Sequence, residues 1–312
     1  MRSSYILLAT WVFCACSAPA NVITATPDRE SLIPETQHKI TPESDLYPVV
    51  SLTAEYEDPQ PLPYPVNTAG AEDSAFILPD GKTLYVWFTP DVKQPVEKQL
   101  LDGVTAIYRS RWVNGTWSQP ERIVLQDEGK LALDGCEFVL GDTMWFCSAR
   151  EGYTGMHWFT ASQLDGIWSD WKLADFPLAY QVGELHITAD GTELYFHSDR
   201  PGGQGGYDIW VSRATLDGWG EPKNVAVVNS PYSDGWPFVT LDGKELWFTR
   251  LIGAPELFRS VKVNGEWTEP VQMFSLFSGE ASLDWNGNVY FTHHYYQDSQ
   301  MLEADIYMAK KK

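Results

Sequence analysis

The sequence predicts an all-β fold assembled from repeats, and three observations predict it. An Asn/Asp-Gly element followed by tryptophan recurs in Asn114-Gly115-Thr116-Trp117, Asp165-Gly166-Ile167-Trp168, Asp217-Gly218-Trp219 and Asn264-Gly265-Glu266-Trp267, with tryptophans 51, 51 and 48 residues apart. A second set of turns, Asp80-Gly81, Gly141-Asp142, Asp190-Gly191, Asp242-Gly243 and Asn286-Gly287, precedes aromatic runs such as Leu84-Tyr85-Val86-Trp87-Phe88. Helical periodicity is absent. Turns of this composition supply the positive φ that joins antiparallel strands, and a period near fifty residues indicates a propeller or solenoid. The expectation is a five-bladed β-propeller over residues 46–310.

Composition agrees with a large core. Fourteen Trp, 15 Tyr and 14 Phe in 312 residues exclude a disordered chain. The net charge of −20 makes nucleic acid an improbable partner, because an acidic surface repels phosphate backbones.

Residues 1–20 resemble a signal peptide: Arg2 gives a positive start, Tyr5 to Phe13 an apolar stretch, and small residues follow. Ala18-Pro19-Ala20 resembles a cleavage site, while Phe13-Cys14-Ala15-Cys16 resembles a lipobox that would acylate Cys16. Membrane attachment is expected only through such an anchor, and the protein is expected to be exported and monomeric. Residues 21–45, rich in Thr, Pro, Ser and acids without apolar period, read as a flexible linker. Beyond them, Tyr56-Glu57-Asp58-Pro59 matches Trp267-Thr268-Glu269-Pro270, while the last repeat ends at Met308 without that motif. The N-terminal strand is therefore expected to join the last blade and seal the ring.

Cys136 and Cys147 are equidistant from the Gly141-Asp142 turn, so a regular hairpin places them opposite each other. They are read as a disulfide, with two buried free thiols as the alternative.

The third repeat, Leu194-Tyr195-Phe196-His197-Ser198-Asp199-Arg200-Pro201-Gly202-Gly203-Gln204-Gly205-Gly206-Tyr207-Asp208-Ile209-Trp210, resembles the WD40-like β-propeller repeat of the TolB type found in exported bacterial proteins. The resemblance implies the fold and export. It leaves function open, because scaffolds, binding proteins and enzymes share it.

Aligning the repeats puts acids on one rim: Glu72 and Asp73, Asp134, Glu184, Asp234 and Glu280. His186, Arg200 and Trp236 join them as candidate binding residues, with an envelope protein or a glycan as the ligand and no catalysis. Asp134, Asp234 and Arg200 can equally be structural ion-pair residues. The alternative is an inverting glycoside hydrolase: Asp73, Asp134 and Glu184 are similar in type and order to the acids of arabinanase-like propellers, which would make them general base, pKa modulator and general acid. No cofactor or metal centre is expected. Adjacent His293 and His294 point to opposite faces, and Ca²⁺ is the one ion that converging acids could hold.

Overall fold

The computed structural model describes residues 27–174, 176, 180 and 182–312, and it is all-β. The expected signal peptide lies outside the described residues. A 3-10 turn (Arg29–Leu32) and the short strand β1 (Gln60–Pro61) precede the first repeat. That repeat contributes β2 (Ala71–Ile77), β3 (Thr83–Thr89), β4 (Ala106–Val113), β5 (Thr116–Trp117) and β6 (Glu121–Arg122), with the one-turn helix α1 (Val96–Gln99) inserted after β3. The second gives β7 (Ala132–Leu140), β8 (Thr143–Arg150), β9 (His157–Leu164) and β10 (Ile167–Leu173). The third gives β11 (Leu185–Ile187), β12 (Glu193–Ser198), β13 (Asp208–Thr215), β14 (Gly218–Trp219) and β15 (Lys223–Asn224). The fourth gives β16 (Ser233–Val239), β17 (Glu245–Leu251), β18 (Pro255–Val263), β19 (Glu266–Trp267) and β20 (Val271–Gln272). The last gives β21 (Ser278–Leu283), β22 (Val289–Gln297) and β23 (Gln300–Ala309).

Within each repeat the first three strands pair antiparallel in chain order, and the short β6, β15 and β20 return to pair with β4, β13 and β18. The first strands contact one another: β2 touches β7 and β21, β11 touches β7 and β16, and β16 touches β21. Outer aromatics join successive repeats. Trp168 Nε1 donates to the Tyr85 hydroxyl of the preceding repeat at 3.3 Å, and Trp267 Nε1 to that of Tyr195 at 3.3 Å. Tyr56 does the corresponding job from the N-terminal side, lying edge-on to Trp247 at 5.9 Å. It bridges Lys311, and β1 runs antiparallel to β23 with Gln60 opposite Met308.

Residues 27–45, expected as a flexible linker, are instead pinned to the repeats. Arg29 is buried against Glu72, Lys39 binds Glu303 and Asp305, and Asp45 accepts from His293 Nε2 at 2.9 Å. The composition lacks an apolar period because this segment is held by ion pairs and hydrogen bonds.

Four of the first strands carry a bulge: the register shifts between Asp73 and Phe76, Gly135 and Phe138, Gly235 and Phe238, and Gly279 and Ser282. Each bulge holds a non-glycine residue in the left-handed region, with φ of 53° at Ser74, 56° at Cys136, 53° at Trp236 and 56° at Glu280. An inserted residue interrupts strict alternation and re-aims its side chain. The cysteine register changes accordingly. Gly135, not Cys136, pairs with Cys147; the two sulfur atoms meet at 2.6 Å and are not joined as a disulfide.

Candidate binding site: an acidic pit and an aromatic groove

The bulges sort the rim acids into two ranks. Glu72, Asp134 and Asp234 lie ahead of the bulges, are at most 4% exposed, and are each met by an arginine. Asp134 accepts from Arg150 Nη2 at 2.7 Å and Ser148 Oγ at 2.6 Å. Asp234 accepts from Arg250 Nε at 2.6 Å and from the backbone N–H and hydroxyl of Ser230 at 2.7 Å each. Glu72 repeats that arrangement with Thr68, at 2.8 and 2.7 Å, and takes its arginine from the N-terminal segment. Paired and fully hydrogen-bonded in this way, these acids hold loops to sheets.

The second rank faces a small axial pit of about 50 Å³. Ser74, Cys136, Glu184, Trp236 and Glu280 line it, and Glu137 joins them. Burial pushes Glu184 well above the usual carboxylate range, with Cys136 and Asp73 adding to the effect. Burial, together with Asp73 and Glu184, does the same to Glu280, which accepts from Ser74 Oγ at 2.6 Å. Burial raises Glu137 to about 8. For Asp73 burial works in the same direction, but His294, 3.6 Å away, outweighs it and holds the carboxyl below its ordinary range. The site therefore sets Asp73, held below its ordinary range, beside carboxyls raised above theirs.

Below the pit, His186 sits among Phe76, Phe138 and Phe238, with ring centroids 4.5 Å from Phe138 and 4.6 Å from Phe238. Its Nδ1 accepts the Val239 N–H at 3.3 Å, and burial lowers its pKa to about 3. His186 is thus a neutral part of an aromatic plug between the pit and an apolar cavity of about 280 Å³.

A larger groove of about 630 Å³ opens beside the pit over the second and third repeats. Trp158, Phe176, Tyr180 and Met156 wall it, while Glu184 and His197 supply polar groups. Glu184 and Cys136 border both pit and groove. His197 is fixed by close packing: its Nδ1 accepts the Trp236 N–H at 3.2 Å, and a Cβ on Gly183 would lie 2.1 Å from its ring. Only glycine permits that approach. Burial brings His197 to about 4. Arg200 lies away from the pit acids, stacked against Phe196, Trp210 and Tyr180 at 4.9, 5.2 and 5.6 Å.

The structure therefore brings Glu184, Trp236 and Glu280 to one pit, and sets Asp73 beside Glu280 and His294. It leaves Asp134 in an ion pair beside Arg150, with Glu72 and Asp234 in equivalent pairs. Glu137 and His197 were not singled out from sequence. Strict alternation turns Glu137 away from its neighbours, and no local composition marks the bulge that changes this.

No family model matches the chain, and no curated protein matches it. Among solved structures it is similar to an endo-arabinase from Bacteroides thetaiotaomicron VPI-5482, with 15% identity, 80% of this chain and 96% of that chain covered, and a TM-score of 0.52. It is also similar to TolB from Acinetobacter baumannii (15% identity, 79% of this chain and 55% of that one, TM-score 0.45) and to a gluconolactonase from Xanthomonas campestris (14%, 88% and 98%, TM-score 0.46). The chain thus spans about half the length of that TolB. At 15% identity the likeness to the arabinase concerns the fold alone, and it supports a β-propeller.

Proposed function

We propose that this chain is an exported five-bladed β-propeller, completed by its N-terminal strand, that binds a glycan in the groove between its second and third repeats. The observation that carries this reading is the groove itself. Its 630 Å³ accommodates sugar rings, whereas the 50 Å³ pit holds little more than a water or an ion. Trp158, Phe176 and Tyr180 offer flat faces to the apolar side of a ring. Glu184, its carboxyl pushed well above the usual range by burial, offers a polar group at the inner end. The blade count and closure rest on the repeated meanders, the cyclic contacts of the first strands, and Tyr56 taking an outer aromatic's place on Trp247. Export rests on the N-terminal sequence; no helix among the described residues is long and apolar enough to cross a membrane.

One observation favours a second reading, hydrolysis of the bound glycan: His294 helps hold Asp73 below its ordinary range while burial pushes Glu184 well above its own, and an acid–base pair needs its two carboxyls driven apart in this way. Against the three-acid scheme stands the ion pair between Asp134 and Arg150. A polysaccharide panel tests both readings by isothermal titration and by reducing-end release. Binding without turnover, weakened about tenfold by Trp158→Ala, supports the binding module. Turnover abolished by Glu184→Gln replaces it with the hydrolase, and absence of both binding and turnover across the panel removes the glycan assignment.

A further inference from the structure

Asp73, Glu280 and His294 come from three strands, β2, β21 and β22, yet each offers a ligand atom within 4.8 Å of the other two. Adjacent His293 and His294 do point apart: His293 binds Asp45 at 2.9 Å and the Phe277 carbonyl at 3.0 Å, while His294 faces Asp73. That divergence excludes a centre made from both histidines, and it leaves His294 free to join the acids. Glu137 supplies an independent observation. It is only 5% exposed, neither carboxylate oxygen has a hydrogen-bond partner, and it lines the same pit as Glu280. A buried carboxyl left without a partner is costly. Its oxygens are the donors a cation in the pit would take up.

We propose that Asp73, Glu280 and His294 bind a first-row divalent cation of the Zn²⁺ or Mn²⁺ kind, with Glu137 as a further oxygen donor. The donor chemistry selects the ion. One imidazole nitrogen with carboxylate oxygens suits Zn²⁺ or Mn²⁺, whereas Ca²⁺ prefers six to eight oxygens. The volume agrees, since the pit of about 50 Å³ that Glu280 and Glu137 line has room for an ion and a water but for no organic ligand. This site does not depend on what fills the groove.

The test uses the untagged full chain, stripped with chelator and titrated calorimetrically with Zn²⁺, Mn²⁺ and Ca²⁺, with bound metal counted by elemental analysis. One equivalent of Zn²⁺ or Mn²⁺ is expected, with affinity at least about tenfold lower in His294→Gln and in the near-isosteric Glu280→Gln. Circular dichroism confirms that each variant is folded. With Mn²⁺ bound, electron spin-echo spectroscopy should show an imidazole nitrogen coupling that His294→Gln removes, a signal that misfolding elsewhere would not mimic. Binding of Ca²⁺ alone, no stoichiometric binding, or affinity unchanged in both variants overturns the assignment.

Discussion

Arg29 Nη1 donates to Glu72 Oε1 at 3.0 Å, from a segment that precedes the first repeat by some forty residues. In the second and fourth repeats the equivalent acids, Asp134 and Asp234, find Arg150 and Arg250 inside their own sheets. The first repeat has no such arginine, and the N-terminal segment supplies it. Arg29 also donates through Nη2 to the carbonyls of Pro65 and Val66 at 2.6 and 3.0 Å, and stacks 4.7 Å from the centre of Phe88.

Arg29→Ala should therefore destabilise the protein by about 3–5 kcal/mol, because it leaves Glu72 buried without its charge partner. Arg29→Met combined with Glu72→Gln should recover much of the loss, since the uncompensated charge is gone. Urea unfolding of the single and double variants measures both. Equal losses would mean that packing, not charge, holds the segment.

Stability should fall as pH rises from about 5 to 8. Burial lifts Glu72 to about 7 and Glu137 and Glu303 to about 8, against an ordinary 4.5. Between these values the folded chain holds protons that the unfolded chain has released, so the folded state loses ground as pH climbs. The urea midpoint should be higher at pH 5 than at pH 8, and Glu137→Gln, neutral throughout, should flatten the slope. A midpoint that rises over that range contradicts this accounting.

Gly205→Ala should be among the most damaging single-methyl additions. A Cβ there would lie 1.6 Å from the Tyr232 carbonyl oxygen and 2.7 Å from that of Ser230, both backbone atoms that cannot step aside. The Gly-rich loop is drawn tight because the Asp208 carboxylate accepts from the N–H groups of Gln204 and Gly205 at 2.5 and 3.1 Å. A loss of about 1–3 kcal/mol is expected in chemical denaturation. Alanine in place of Gly220, whose Cβ would meet nothing closer than 3.3 Å, serves as the comparison.

Cys136 and Cys147 should oxidise to a disulfide when the protein is made in an oxidising compartment, because their sulfurs already touch. Trypsin releases both in the single peptide Leu131–Arg150. Mass spectrometry without reduction should find that peptide lighter by two hydrogens and refractory to alkylation. Alkylation at both cysteines would show that they stay thiols.

The repeats were legible because their turns are written in residues with few alternatives: Gly81, Gly191, Gly243 and Gly287 all take positive φ, at 67°, 70°, 68° and 77°. The aromatic second strands were legible for the same local reason. What sequence concealed was the bulge. Ser74, Cys136, Trp236 and Glu280 share a left-handed conformation but no composition, so nothing local announces the inserted residue. Without it, Asp134 and Glu280 look equivalent; with it, one lies beside Arg150 and the other faces the pit. The N-terminal segment was hidden for a different reason, since Arg29 and Lys39 are ordinary surface residues until their distant carboxylates are in place.

The pairing of Gln60 with Met308 has a consequence for how the chain acquires its shape. A ribosome delivers the first of these residues long before the second, so the final sheet stays incomplete until β23 has been made. During that interval β23 is missing and the early strand has no partner, leaving a bare edge open to other chains. Maturation must then wait on the slow meeting of two segments remote in sequence, and any helper that shields nascent protein should be needed most until they meet.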